Sequence, residues 1–178
     1  FDIGNRELKK TGNRKAVIIG PVINTYWTPI KFGEMVNRAG DEARQSALFI
    51  NYFGKWKFLS KETENNYFTS MLDRGGMVAF LKDDTPPVID LIKPEKDLKE
   101  GFKEIKIKVT DDGAGLDYAN MVVKVNGVKV PYEVDVKNSL VKLQLDNYGH
   151  NKKTVRIYIR AIDKTGNRSE KDFSVSIR

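Results

Sequence analysis

Any chemistry in this sequence must come from carboxylates and aromatic rings. The 178 residues contain one histidine, His150, and no cysteine. A catalytic zinc needs about three protein ligands, usually His, Asp, Glu or Cys. His150 stands in the turn-like stretch Asp146-Asn147-Tyr148-Gly149-His150, with no second ligand motif beside it, so a structural turn role is expected. The sequence has no Cys–His pair, no Gly-x-Ser-x-Gly elbow and no glycine-rich phosphate loop. Carboxylates cluster in three loops: Asp83-Asp84, then Asp111-Asp112-Gly113-Ala114-Gly115-Leu116-Asp117, then Asp163-Lys164-Thr165-Gly166-Asn167. Acid–base catalysis would require such acids to face a cleft and a substrate proton. Acids in glycine-rich turns more simply bond their own backbone, as Asx turns do. No catalytic residue is therefore expected, and the chain does not read as an enzyme.

A second set is aromatic: Tyr26, Trp27, Tyr52, Phe53 and Trp56. Rings of this kind stack on sugars when exposed and fill cores when buried. Trp56 and Tyr52 are expected in a core beside Ile50 and Phe58. Tyr26 and Trp27, set between Thr25 and Thr28, are the candidate carbohydrate contacts.

The elements that would hold these loops are strands. Ile105, Ile107 and Val109 alternate with lysines. Leu143 and Leu145 alternate with Lys142 and Gln144, Val155 to Ala161 with Arg156, Tyr158 and Arg160, and Phe173, Val175 and Ile177 with polar residues. Period-two patterning marks strands with one buried face. Asn126-Gly127 is the favoured two-residue hairpin loop; it predicts Val125 opposite Val128, Val123 opposite Val130 and Met121 opposite Tyr132, all on one face, with Lys124 opposite Lys129 on a solvated face. About seven strands over residues 86–178 predict a β-sandwich. Without cysteine its core must rest on aliphatic burial.

The earlier part is expected to be a smaller β-sandwich. Ala16–Ile19 and Ile30–Val36 read as strands and Asn37–Gln45 as a loop. Ser46–Phe53 and Trp56–Ser60 read as a hairpin with a three-residue loop, 53–55, pairing Tyr52 with Trp56 and Ile50 with Phe58. Tyr67–Leu72 and Met77–Leu81 read as a second strand pair. Pro86-Pro87 interrupts any sheet ladder and places a joint at 83–87. The expected organisation is all-β, two sandwiches in tandem over residues 1–84 and 85–178.

Composition narrows the partners. Residues 1–85 carry 13 basic and 10 acidic residues and the rest 18 and 14, so the net charge of +7 is spread evenly. That differs from the clustered footprint of a nucleic-acid binder, and no nucleic-acid partner is expected. No run approaches the ~18 apolar residues of a membrane span, so no membrane insertion is expected either. A diffuse basic surface reads first as a soluble lysine-rich surface and secondarily as one suited to anionic cell-wall polymers; a cell-wall polymer or a neighbouring domain of a larger parent protein is the candidate partner. The chain opens on Phe1 without a basic-then-apolar leader, so any signal peptide is expected to lie outside these residues.

The strings DDTPPVIDLIKP and IKIKVTDDGAGLDYANMVVKVNG, followed by VRIYIRAIDKTGN, resemble a bacterial immunoglobulin-like domain, akin to fibronectin type III, over residues 83–178. The preceding ALFINYFGKWKFLS and GGMVAFLKDDTPPVI resemble the region downstream of the catalytic domain in lysostaphin-type zinc endopeptidases of the bacterial envelope. The His-x-x-x-Asp and His-x-His zinc motifs of that family are missing here, so the zinc site of such a parent would lie outside this chain. The resemblance implies a secreted or cell-envelope protein, periplasmic or at the cell surface, with this chain as a non-catalytic accessory region near peptidoglycan. The alternative is an adhesin or polysaccharide-binding module. In an immunoglobulin-like sandwich the three acidic loops lie at one end. Asp83, Asp84, Asp111, Asp112, Asp117 and Asp163 are then candidate ligands for calcium, which takes 6–8 oxygens. Lys164 among these acids favours simple turn bonding, so no cofactor is the expectation and calcium the alternative.

Overall fold

The computed structural model describes residues 16–19, 25–35, 45–65, 67–92, 104–145 and 154–176. Among them are strands and connections and no helix, as the alternating pattern predicts. The loop expected at Asn37–Gln45 lies, except for Gln45, outside the described residues, as does His150. The chain divides into two compact units. Unit 1 holds Phe1–Asp84 with Gly113–Gly115 and Lys164–Gly166; unit 2 holds Thr85–Asp112, Leu116–Asp163 and Asn167–Arg178.

Unit 1 contains β1 (Ala16–Ile19), β2 (Thr25–Met35), β3 (Ser46–Tyr52), β4 (Lys55–Ser60), β5 (Thr63–Glu64), β6 (Tyr67–Arg74) and β7 (Gly76–Lys82). They form a four-stranded sheet ordered β1-β7-β3-β4 and a three-stranded sheet ordered β2-β6-β5. Leu48, Ile50 and Val78 from the first sheet meet Phe68 and Leu72 from the second in one core, against which Tyr52, Leu59 and Phe80 pack. The Phe68 and Phe80 rings lie 4.9 Å apart. A second cluster on the other face of β3 joins Ala47, Phe49 and Ala114, with Trp56, Phe58 and Leu81 packed against it.

Two expectations for unit 1 are corrected. First, β6 and β7 are not partners: β6 pairs with β2 and β5, and β7 with β1 and β3. Only Gly75 separates them, fewer residues than the shortest common hairpin loop, so the chain passes from one sheet to the other. Second, the β3–β4 loop has two residues. Tyr52 pairs with Lys55, Asn51 with Trp56, Ile50 with Lys57 and Phe49 with Phe58, and a bulge before Leu48↔Ser60 absorbs the offset. Asn51 Oδ1 accepts the Gly54 N–H at 3.0 Å. The three-residue loop follows from assuming one buried face. In fact both faces of β3 are covered: Ala47, Leu48, Phe49 and Ile50 are all at most 3 % exposed. Tyr52 and Trp56 therefore serve opposite clusters, and Trp56 is a packing residue as expected.

Unit 2 contains β8 (Val88–Ile92), β9 (Glu104–Thr110), β10 (Val122–Val125), β11 (Val128–Lys129), β12 (Glu133–Asp135), β13 (Leu140–Gln144), β14 (Thr154–Ile162) and β15 (Arg168–Ser176). Two antiparallel sheets, ordered β12-β13-β9-β8 and β11-β10-β14-β15, share one apolar core. Ile105, Ile107, Val109, Val141 and Leu143 come from the first, and Val123, Val125, Val155, Ile157, Ile159 and Ala161 from the second. Each fully buried Ile, Val or Leu contributes roughly 1.5–3 kcal/mol, which is how a core without disulfides is sustained. The Asn126-Gly127 hairpin forms in the expected register, Val125↔Val128 and Lys124↔Lys129, and Val130 N–H donates to Val123 O at 3.1 Å. Val128 departs from its expected burial and is exposed. Lys171 Nζ donates to Ile89 O and pairs with Asp90, so a lysine meets the backbone of the edge strand β8, a placement that discourages further strand pairing.

Candidate functional site

Two of the three acidic loops contain a turn closed by an asparagine amide. In unit 2, Asp117 Oδ1 accepts the N–H groups of Ala119 and Asn120 at 3.1 and 3.3 Å, and Oδ2 accepts Asn120 Nδ2 at 2.7 Å. Asp163, 1 % exposed, repeats the device across four residues: Oδ1 accepts Asn167 N–H at 2.9 Å and Oδ2 accepts Asn167 Nδ2 at 2.7 Å. A third copy, Asp135 with Asn138, closes the β12–β13 connection at 3.1 and 2.8 Å. In each, a carboxylate is gripped by the backbone N–H and side-chain amide of one asparagine. A charged acceptor makes these bonds stronger than neutral ones. The Asn138 amide and N–H hold the Asp135 carboxyl below its ordinary range, with Lys142 reinforcing them.

Of the six candidate calcium ligands, Asp111 and Asp163 bring carboxylate oxygens within 4.8 Å of one another in unit 2. Asp112 is exposed in the bend that follows β9, and Asp117 is committed to its own turn. The other two belong to unit 1. Asp83 is buried, 7 % exposed; its Oδ2 accepts Ala114 N–H at 2.6 Å and its N–H donates to Gln45 O at 2.9 Å. A Cβ on Gly113 would fall 2.0 Å from Asp83 Oδ2, so the glycine is what lets this carboxylate approach. Asp84 is exposed and pairs with Lys82 at 3.1 Å.

Tyr26 and Trp27 lie in β2 where its pairing with β6 is interrupted, between Thr25↔Arg74 and Ile30↔Leu72. Pro29 falls in the same stretch and lacks the N–H a ladder requires. The feature the sequence reading missed is Phe53. It is 84 % exposed at the tip of the β3–β4 hairpin, with a φ of +49°. Grouping it with Tyr52 and Trp56 as one aromatic set hid it. The signal available was its place before Gly54, where a two-residue loop puts a residue at positive φ. The asparagine partners were legible too, as Asp-x-x-Asn and Asp-x-x-x-Asn spacings.

No family model matches this chain, and no curated protein matches it significantly.

Proposed function

We propose that this chain is a non-catalytic accessory region, structural or binding, of a secreted bacterial envelope protein. In this reading residues 85–178 are an immunoglobulin-like sandwich that positions a larger parent, for which a peptidoglycan-cleaving metalloendopeptidase is the best-specified candidate. The observation that carries it is the strand order of unit 2. Taking β8, β9, β13 and β12 as strands A, B, E and D, and β10, β11, β14 and β15 as C, C′, F and G, reproduces the pairing of an immunoglobulin-type domain. The turn acids support the same reading, because Asp117, Asp135 and Asp163 spend their carboxylates on their own loops. The rival reading, a polysaccharide-binding module, is favoured by the interruption of β2 at Tyr26 and Trp27. Co-sedimentation with purified peptidoglycan sacculi tests the proposal. The chain is expected to pellet with the sacculi and to do so equally after Trp27→Ala. A chain that stays in the supernatant overturns envelope binding, and loss of pelleting in the variant alone favours the rival.

A further inference from the structure

Among the described residues, two hairpin turns place a non-glycine residue and then a glycine at nearly the same positive φ values, with different chemistry. Asn126 and Gly127 have φ of +50° and +86°, and Phe53 and Gly54 have +49° and +84°. Asparagine suits the first position of such a turn, because its short polar side chain tolerates the left-handed region; a bulky residue there is an outlier. Phe53 gains little burial in exchange, since 84 % of it is exposed. Within residues 48–61 the only charged side chains are Lys55, Lys57 and Lys61, and Lys55 and Lys57 are exposed on β4. An apolar ring thus stands exposed at the tip of a hairpin whose residues 48–61 carry only positive charges.

We propose that the β3–β4 hairpin tip is a peripheral contact for an anionic lipid surface, with Phe53 entering the headgroup layer and Lys55 and Lys57 facing lipid phosphates. Charge complementarity selects the partner: apolar side chains with Lys or Arg beside them are the composition that holds a segment at a bilayer surface without spanning it. A single exposed ring at a hairpin tip suits a fluid, deformable partner better than the flat platform on which a glycan stacks. The contact is independent of the accessory-region reading and does not require a transmembrane segment.

The test is vesicle co-sedimentation of the full chain with phosphatidylglycerol:phosphatidylcholine (1:1) and with phosphatidylcholine alone. The wild type is expected to pellet with the anionic vesicles and not with the neutral ones. Phe53→Asn restores the favoured Asn-Gly turn, so it is expected to melt no lower than the wild type while its vesicle affinity falls about tenfold, as expected for losing most of one buried aromatic side chain. Lys55→Glu with Lys57→Glu should abolish pelleting. Wild type left in the supernatant, equal binding to neutral vesicles, or undiminished binding by Phe53→Asn would each overturn the proposal. Binding to wall polysaccharide that Phe53→Asn removes, without vesicle binding, would overturn it in favour of a glycan contact.

Discussion

The connections of unit 2 and the β3–β4 hairpin of unit 1 solve one problem with different residues. In unit 2 the chain reverses through Asn126-Gly127 and through three acid–amide turns, Asp117 with Asn120, Asp135 with Asn138 and Asp163 with Asn167. Asn126, Gly127 and the Asp–Asn pairs there are types that such turns favour, although the Asp135–Asn138 connection also holds Ser139 at a φ of +56°. In unit 1 the β3–β4 turn has nearly the same φ values with Phe53 in the asparagine position. Where local preference and global fold agree, the structure is specified several times over. Where they disagree, another constraint sets the register. In β3 that constraint is burial of both faces, accommodated by the bulge between Leu48 and Phe49.

The comparison predicts that core positions are indifferent to turn chemistry. Ile50 and Ile157, 2 % and 0 % exposed, lie beside the two hairpins. Ile50→Ala and Ile157→Ala should each cost about 2–5 kcal/mol in denaturant unfolding. A loss well under about 1 kcal/mol for Ile50→Ala would mean that the β3 core is not packed as described.

The buried acid–amide turn comes next. Asp163→Ala removes both bonds to Asn167 and should cost about 1–3 kcal/mol. Melting with and without millimolar calcium separates the turn role from a metal role. A bound cation would raise stability by RT ln(1 + [L]/Kd), about 2.7 kcal/mol at a hundredfold excess over Kd. No calcium shift is expected, with Asp163→Ala destabilised equally in both buffers. A shift of several degrees that Asp163→Ala or Asp111→Ala abolishes would make this loop a calcium site.

Exchanging the turn residues sharpens the contrast at smaller magnitude. Phe53→Asn should stabilise by up to about 1 kcal/mol, and Asn126→Phe should destabilise by about 1–2 kcal/mol, because left-handed backbone disfavours a bulky side chain by that order. Asn126→Phe also removes the bond from Arg156 N–H to Asn126 Oδ1, 3.1 Å long. Equal and opposite failures, with Phe53→Asn destabilising, would show that the fold uses the ring itself.

The smallest effect is the acid limb of the exposed Asp135 turn. Its carboxyl sits below the ordinary range in the folded chain because Asn138 bonds the charged form. A depressed folded value means that the contribution is fully present above the unfolded carboxylate value of about 3.9 and is lost as pH falls through the lower folded one. Stability measured downward from about pH 4 should therefore decline less steeply in Asn138→Ala than in the wild type; identical slopes would remove Asp135 from the acid response.

How much of this was legible follows the same division. Strands β9, β10, β13 and β14 of unit 2 could be read because one face of each is buried, so Ile105, Ile107 and Val109 alternate with lysine, and Asn126-Gly127 announces its own register. The β3–β4 register could not, because a strand buried on both faces has no alternation to align and Ile50 stands opposite Lys57. The sheet change at Gly75 was hidden for a related reason: β6 and β7 each show strand patterning, but pattern does not name a partner. Among the acids, the turn residues were legible by type, while the approach of Asp83 to Ala114 N–H depends on a long-range contact that Gly113 permits.

In the proposed function the chain assists at the envelope without performing chemistry there. The most direct measurement incubates the purified chain with peptidoglycan, with and without added zinc, and follows soluble muropeptide release by mass spectrometry. The account predicts release no greater than in buffer alone under both conditions. Time-dependent release that scales with chain concentration and is lost on chelation would contradict it.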